Sequence, residues 1–100
     1  MTDKIHRWSG NIFADMGFPK PEAVSLLLRA DLMIRITAEL ERRKLTQQQS
    51  AKLLGVTQPR ISHLRTGRIG LFSLDTLVDM LTQLGMSVTI TTTRKRRRAA

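Results

Sequence analysis

Cysteine is missing from this chain of 100 residues. Neither a disulfide framework nor a thiolate metal site can therefore form, which fits a reducing cytoplasm. Aromatic residues are scarce: Trp8, Phe13, Phe18 and Phe72 are all there are. A chain of this length makes one domain, and its core must be small, helical and rich in leucine. No apolar run approaches the ~18 residues that would cross a bilayer as a helix, so no membrane partner is expected. The start, MTDKIHRWSG, lacks the apolar stretch of a leader peptide. Chemistry-bearing residues are equally sparse. His6 and His63 are the only histidines and stand far apart, and no Ser–His–Asp set, HExxH or glycine-rich phosphate loop occurs. Asp75 and Asp79, four apart, are better explained by helix-end charge and by solvent exposure than as paired carboxylates. The reading is not an enzyme, with no cofactor and no metal.

Acidic residues are absent from one long stretch. Residues 42 to 74 hold Arg42, Arg43, Lys44, Lys52, Arg60, Arg65 and Arg68 and no Asp or Glu. Residues 1 to 41 carry five basic and six acidic residues, a net of −1, while Arg94 to Arg98 add five more positive charges. The formal net charge of +9 is thus concentrated in the middle and at the end. Such clustering is the electrostatic footprint of a polyanion partner. A surface kept soluble by charge would not leave an acid-free block in one place.

That block contains the most informative pattern, LTQQQSAKLLGVTQPRISHLRTG from Leu45 to Gly67. Thr46 and Gln49 have capping-box spacing and start a helix. Ala51 and Leu54 face inward. Gly55 can take the left-handed conformation that ends a helix, and Val56 plugs the turn. Thr57 is a second N-cap, and Pro59 falls in a first turn, where a missing amide hydrogen does no harm. Ile61 and Leu64 seat the second helix, Gly67 closes it, and Gln58, Arg60, Ser62, His63 and Arg65 point outward. The pattern predicts a helix-turn-helix, whose second helix enters the major groove of DNA.

Leu45-Thr46-Gln47, Ala51, Leu54-Gly55-Val56, Gln58, Ile61-Ser62 and Gly67 resemble the XRE family of phage-repressor-like DNA-binding proteins. SGNIFADMGF, the helix beginning at Pro21 and LFSLDTLVDMLTQLGMSVTI resemble, more loosely, the small HigA-type antitoxins that pair with RelE-like toxins. Arg65 stands where many members carry an acid, and Pro59 where they often carry a polar residue, so a different base sequence would be read. The resemblance implies that Gln58 and His63 approach base edges. Glutamine can pair bidentately with adenine, and histidine can donate to a guanine acceptor. It also implies that Gln47 binds phosphate and buttresses Gln58, sharing the phosphate with exposed helix-start amides. Pro59 either touches a thymine methyl or only stiffens the helix start. Arg60 reaches a base or a phosphate. Thr57 caps alone or also contacts phosphate, and Ser62 is a contact or a tolerated solvent-facing residue. Arg65 and Arg68 are expected on the backbone. Arg42, Arg43 and Lys44 either approach phosphates or simply complement a helix C-terminus.

The flanks complete the expected architecture: an all-α, phage-repressor-like bundle with a long first helix and a C-terminal β-strand used for dimerisation. Residues 1–20, punctuated by Gly10, Gly17 and Pro19, read as an irregular arm that packs on its own domain or binds a partner. Residues 21–85 form the DNA-binding domain. Its first helix, from Pro21 to about Lys44, carries the core stripe Met33, Ile36 and Leu40. The first half of this helix is apolar on more than one face, so the arm, a second subunit or a toxin covers it. Leu74, Leu77, Val78, Leu81 and Leu84 make the last helix amphipathic, after a cap at Ser73 and with Asp75 in its first turn. Residues 86–93 alternate as a half-buried strand with Met86, Val88 and Ile90 inward. No partner strand is visible in the chain except the region around Ile5 to Trp8, so pairing with the same strand of a second molecule is expected. Residues 94–100 form a basic disordered tail. The expected partners are double-stranded DNA with a palindromic operator, a second copy of the chain and a RelE-like toxin. The alternative is a stand-alone XRE-type regulator without a toxin.

Overall fold

The computed structural model describes residues 12–92 and residue 94. Among the described residues five α-helices follow one another: α1 (Ile12–Asp15), α2 (Lys20–Arg42), α3 (Gln47–Leu54), α4 (Gln58–Arg65) and α5 (Leu74–Gln83). A 3-10 turn, Ile69–Leu71, lies between α4 and α5. Among the described residues no helix is long and apolar enough to cross a membrane.

Helix α2 is the spine. Its buried positions, Ala23, Leu26, Met33, Ile36 and Leu40, recur at helical spacing and place one stripe against the rest of the chain. Met33, Ile36 and Leu40 join Ala51 and Leu54 of α3, Ile61 and Leu64 of α4, Phe72, and Leu77, Met80, Leu81 and Leu84 at the end of the chain in one core. Helices α3, α4 and α5 each supply only two or three apolar side chains to that core. None would be stable alone at eight to ten residues, so the packing onto α2 makes them helical. The α2 helix ends at Arg42, two residues before the expected Lys44. Lys44 takes φ of +56°, a left-handed conformation that cannot continue the helix.

Three other expectations are corrected. Residues 1–20 are not irregular throughout: α1 forms within them and α2 already begins at Lys20. The Phe13 and Phe18 rings meet edge to face at 6.2 Å, and the Phe18 amide donates to the Phe13 carbonyl. This aromatic closure, with Gly17 at φ of +99°, folds the segment back where no helical period announced it. Residues 1–11, with Ile5 and Trp8, lie outside the described residues.

The C-terminal strand is the second correction. Among the described residues none is in a strand, and Met86 to Thr92 run without a ladder. A strand exists only as part of a sheet, and no described segment of this chain offers a partner. The third correction concerns facing. Met86 and Val88 are half-buried against the core, whereas Ile90 is 56% exposed and faces away. The expected disordered tail lies outside the described residues apart from Arg94, which is exposed.

Candidate nucleic-acid interface

Helices α3 and α4 are set by local chemistry at their ends. The Thr46 hydroxyl accepts from the Gln49 amide at 3.0 Å while the Gln49 side chain accepts from the Thr46 amide at 2.9 Å. This reciprocal pair satisfies two of the donors a helix start leaves open. Gln47 occupies the first helical position beside them and is exposed. Gly55 ends α3 at φ of +70°, and the Val56 amide returns to the Ala51 carbonyl at 2.9 Å. Val56 packs against the core and fixes the angle at which the chain re-enters a helix. The Thr57 hydroxyl accepts from the Arg60 amide at 3.4 Å, and Pro59 sits in the first turn of α4.

The nine candidate residues fall at the start of α3 (Gln47), at the cap and along α4 (Thr57, Gln58, Pro59, Arg60, Ser62, His63 and Arg65) and on the turn after it (Arg68). Gln58 and Pro59 are exposed at the N-terminal end of α4, Ser62, His63 and Arg65 are half-buried along it, and Arg68 is exposed beyond its end. The Nδ1 atom of His63 is shielded from solvent and has no hydrogen-bond partner among the described residues. Nε2 is therefore the ring nitrogen left to reach a partner outside the chain. Arg65 also has its Nε shielded and unpartnered. Its side chain lines an apolar groove of about 400 Å³ together with Met33, Ile34 and Glu41 of α2 and Ile69.

Arg60 is placed differently from its neighbours. Its Nη1 donates to the Leu71 carbonyl at 2.7 Å, and its guanidinium carbon lies 4.2 Å from the centroid of the Phe72 ring. Phe72 is buried, so the guanidinium lies over the ring of a core side chain, a favourable cation–π arrangement. From the other side, Nη1 of Arg29 in α2 donates to the Phe72 carbonyl at 3.3 Å. Arg29 carries no sequence signal of this role, and the partner of Arg60 is a main-chain oxygen eleven residues on. No residue-type pattern marks either contact.

The basic residues just before α3 are also engaged. Glu39 accepts from Arg42 Nη2 at 2.7 Å and from Arg43 Nε at 2.7 Å. Hydrogen bonds from Arg42 and then Arg43 hold the Glu39 carboxyl at about 2, below its ordinary 4.5. Glu39 in turn raises the Arg42 guanidinium. Arg43 Nη2 also donates to the Leu84 carbonyl, joining the end of α2 to the end of α5. Of the three basic residues at this helix end, Arg42 and Arg43 thus serve the fold, while Lys44 is exposed at the left-handed turn.

The charge of the interface follows from composition: no acidic residue lies between Arg42 and Leu74. A two-helix unit with positive charge, an exposed amide side chain at the front of its second helix and an imidazole in that helix's last turn is suited to a phosphate-lined groove.

Comparison with known proteins agrees with this geometry. Residues 12–93 match a family described as a helix-turn-helix domain. A solved structure described as an XRE-family transcriptional regulator superposes with a TM-score of 0.71 at 33% sequence identity, covering 80% of this chain and 91% of that one. No curated protein matches.

Proposed function

Because the chain belongs to the helix-turn-helix family of XRE-type transcriptional regulators, we propose that it is a sequence-specific repressor that binds a palindromic operator as a homodimer. Gln58 and His63 read bases from the first and last turns of α4, His63 through Nε2. Gln47, Thr57, Arg65 and Arg68 hold the backbone, and Pro59 and Ser62 lie against the groove wall. The observation that carries the reading is the coincidence of the doubly capped α3–α4 unit with the acid-free block. The test is a mobility shift with DNA from upstream of the protein's own gene, competed by a scrambled duplex. Retention against the scrambled competitor supports the reading, and equal loss to both reduces it to nonspecific charge binding.

A second role as the antitoxin of a toxin–antitoxin pair rests on the resemblance of the flanks to HigA-type antitoxins. The apolar groove beside α2 and the exposed Val24, Leu28 and Ile34 of that helix suit a RelE-like toxin as partner. The stand-alone regulator is the simpler alternative. Native pull-down separates them: co-purification of the product of the adjacent gene supports the antitoxin, and its absence leaves the regulator alone.

A further inference from the structure

Arg60 sits on the helix that would enter the groove, yet its guanidinium is turned back onto its own chain. The connection it makes is continuous. Nη1 of Arg60 holds the Leu71 carbonyl at 2.7 Å. The Leu71 amide donates to the Arg68 carbonyl at 3.1 Å, and the Arg68 amide donates to the His63 carbonyl at 3.0 Å. The main chain of Arg68 is therefore held at both ends, by α4 on one side and by a turn that Arg60 fastens on the other. Arg29 takes the next carbonyl, Phe72, from α2. Phe72 lies beneath the Arg60 guanidinium with only 1% of its surface exposed, so the planar group has a fixed seat. Lysine could reach the carbonyl as a point charge but has no guanidinium to place over the ring while doing so.

We propose that Arg60 is a positioning residue: it fastens the 68–72 turn so that Arg68 meets the DNA backbone, and it makes no DNA contact of its own. This rests on the DNA-binding reading above and corrects the simplest expectation for a basic residue on a recognition helix. An arginine on a less restrained segment loses more side-chain and main-chain freedom on binding. Fastening it beforehand lowers that cost.

The test is a double-mutant cycle on the full chain, using Arg60→Ala, Arg68→Ala and the pair. Operator affinity is measured over a range of salt concentrations. Each lost phosphate contact lowers the slope of log K against log salt by about 0.9. The proposal predicts that each single variant lowers the slope by about one contact. It also predicts that each weakens binding about three- to tenfold, and that the pair does no more than either alone. If the pair loses about two contacts, Arg60 touches phosphate itself and the proposal falls. If Arg60→Ala changes melting temperature but neither slope nor the effect of Arg68→Ala, its role is only structural and the proposal also falls. Should Arg60→Ala fail to fold, Arg60→Lys takes its place with a partial loss expected in the same non-additive pattern. In the free protein, Arg60→Ala should speed hydrogen exchange at the Arg68 and Leu71 amides and leave Ile61 protected; unchanged exchange there contradicts the fastening. A wild-type chain that binds no DNA while this exchange effect is present would overturn the functional reading alone.

Discussion

At the scale of single residues, side chains on α4 should divide by what they touch. If Arg65 holds the DNA backbone as proposed, Arg65→Ala should weaken binding to every sequence by a similar factor and flatten the salt dependence by about 0.9. His63→Ala should cost ~1–3 kcal/mol on the operator and leave binding to scrambled DNA nearly unchanged. Fluorescence anisotropy on both duplexes distinguishes them; equal losses on both would remove His63 from base reading. Ser50 makes a prediction about stability. It is wholly buried in α3, and its Oγ has no hydrogen-bond partner among the described residues. A buried hydroxyl without a partner costs about 1–3 kcal/mol relative to a satisfied one. Ser50→Ala should therefore raise stability, by roughly 1 kcal/mol after the small loss of packing. A lower denaturation midpoint in urea would show that the hydroxyl is paired in solution. Ser50 escaped the sequence reading because it follows three exposed glutamines and looks like part of a polar helix start. Only the packing of α3 shows that it faces in.

At the scale of elements, legibility follows the range of the forces involved. The α3–α4 unit was readable because its determinants are local: the Thr46–Gln49 box, the left-handed Gly55 and the Thr57 cap all act within a few residues. The α5 helix was readable because its apolar period is clean. The α1 helix was not, because four residues have no period and a Phe13–Phe18 contact holds the turn. The segment after α5 has the right alternation at Met86 and Val88 but no partner strand among the described residues, and alternation says nothing of partners. The Arg60–Leu71 link was invisible because it joins a side chain to a main-chain oxygen eleven residues away.

The end of α2 adds a pH dependence at the same scale. The Glu39 carboxyl is held at about 2, first by Arg42 and then by Arg43. A lowered carboxyl contributes stability that is fully present above its unfolded value and is lost as pH falls through the folded one. The contribution should therefore be complete at neutral pH and fade between about 4.5 and about 2. Glu39→Gln should lower the melting temperature at pH 7, and its difference from wild type should close on acidification through that window. A difference that stays constant from pH 7 to pH 2.5 would mean that the Arg43 link to Leu84, rather than the carboxylate charge, holds the two helix ends together.

At the scale of the whole molecule, one protomer offers one recognition helix, and a palindromic site needs two about 34 Å apart. The homodimer proposed above was expected, from the sequence, to pair through Met86 to Thr92. Val88 is already committed to the core, so Ile90, exposed on its other side, is the position that tests assembly without unfolding the protomer. Ile90→Asp should lower the mass seen by light scattering from dimer to monomer with helical content unchanged; a dimer that persists places the two-fold axis elsewhere. The charge distribution acts at this scale too. The net +9 ensures attraction to any DNA at low salt, so affinity alone does not distinguish a regulator from a basic protein. The most direct measurement is therefore a specificity ratio: affinity for the upstream DNA over affinity for its scrambled counterpart, at about 0.15 M salt, for wild type and Gln58→Ala. The account predicts a wild-type ratio of roughly 10³ or more and a drop of about ten- to a hundredfold in Gln58→Ala, with scrambled binding unchanged. A ratio near one for wild type, or a ratio that Gln58→Ala leaves intact, would contradict it.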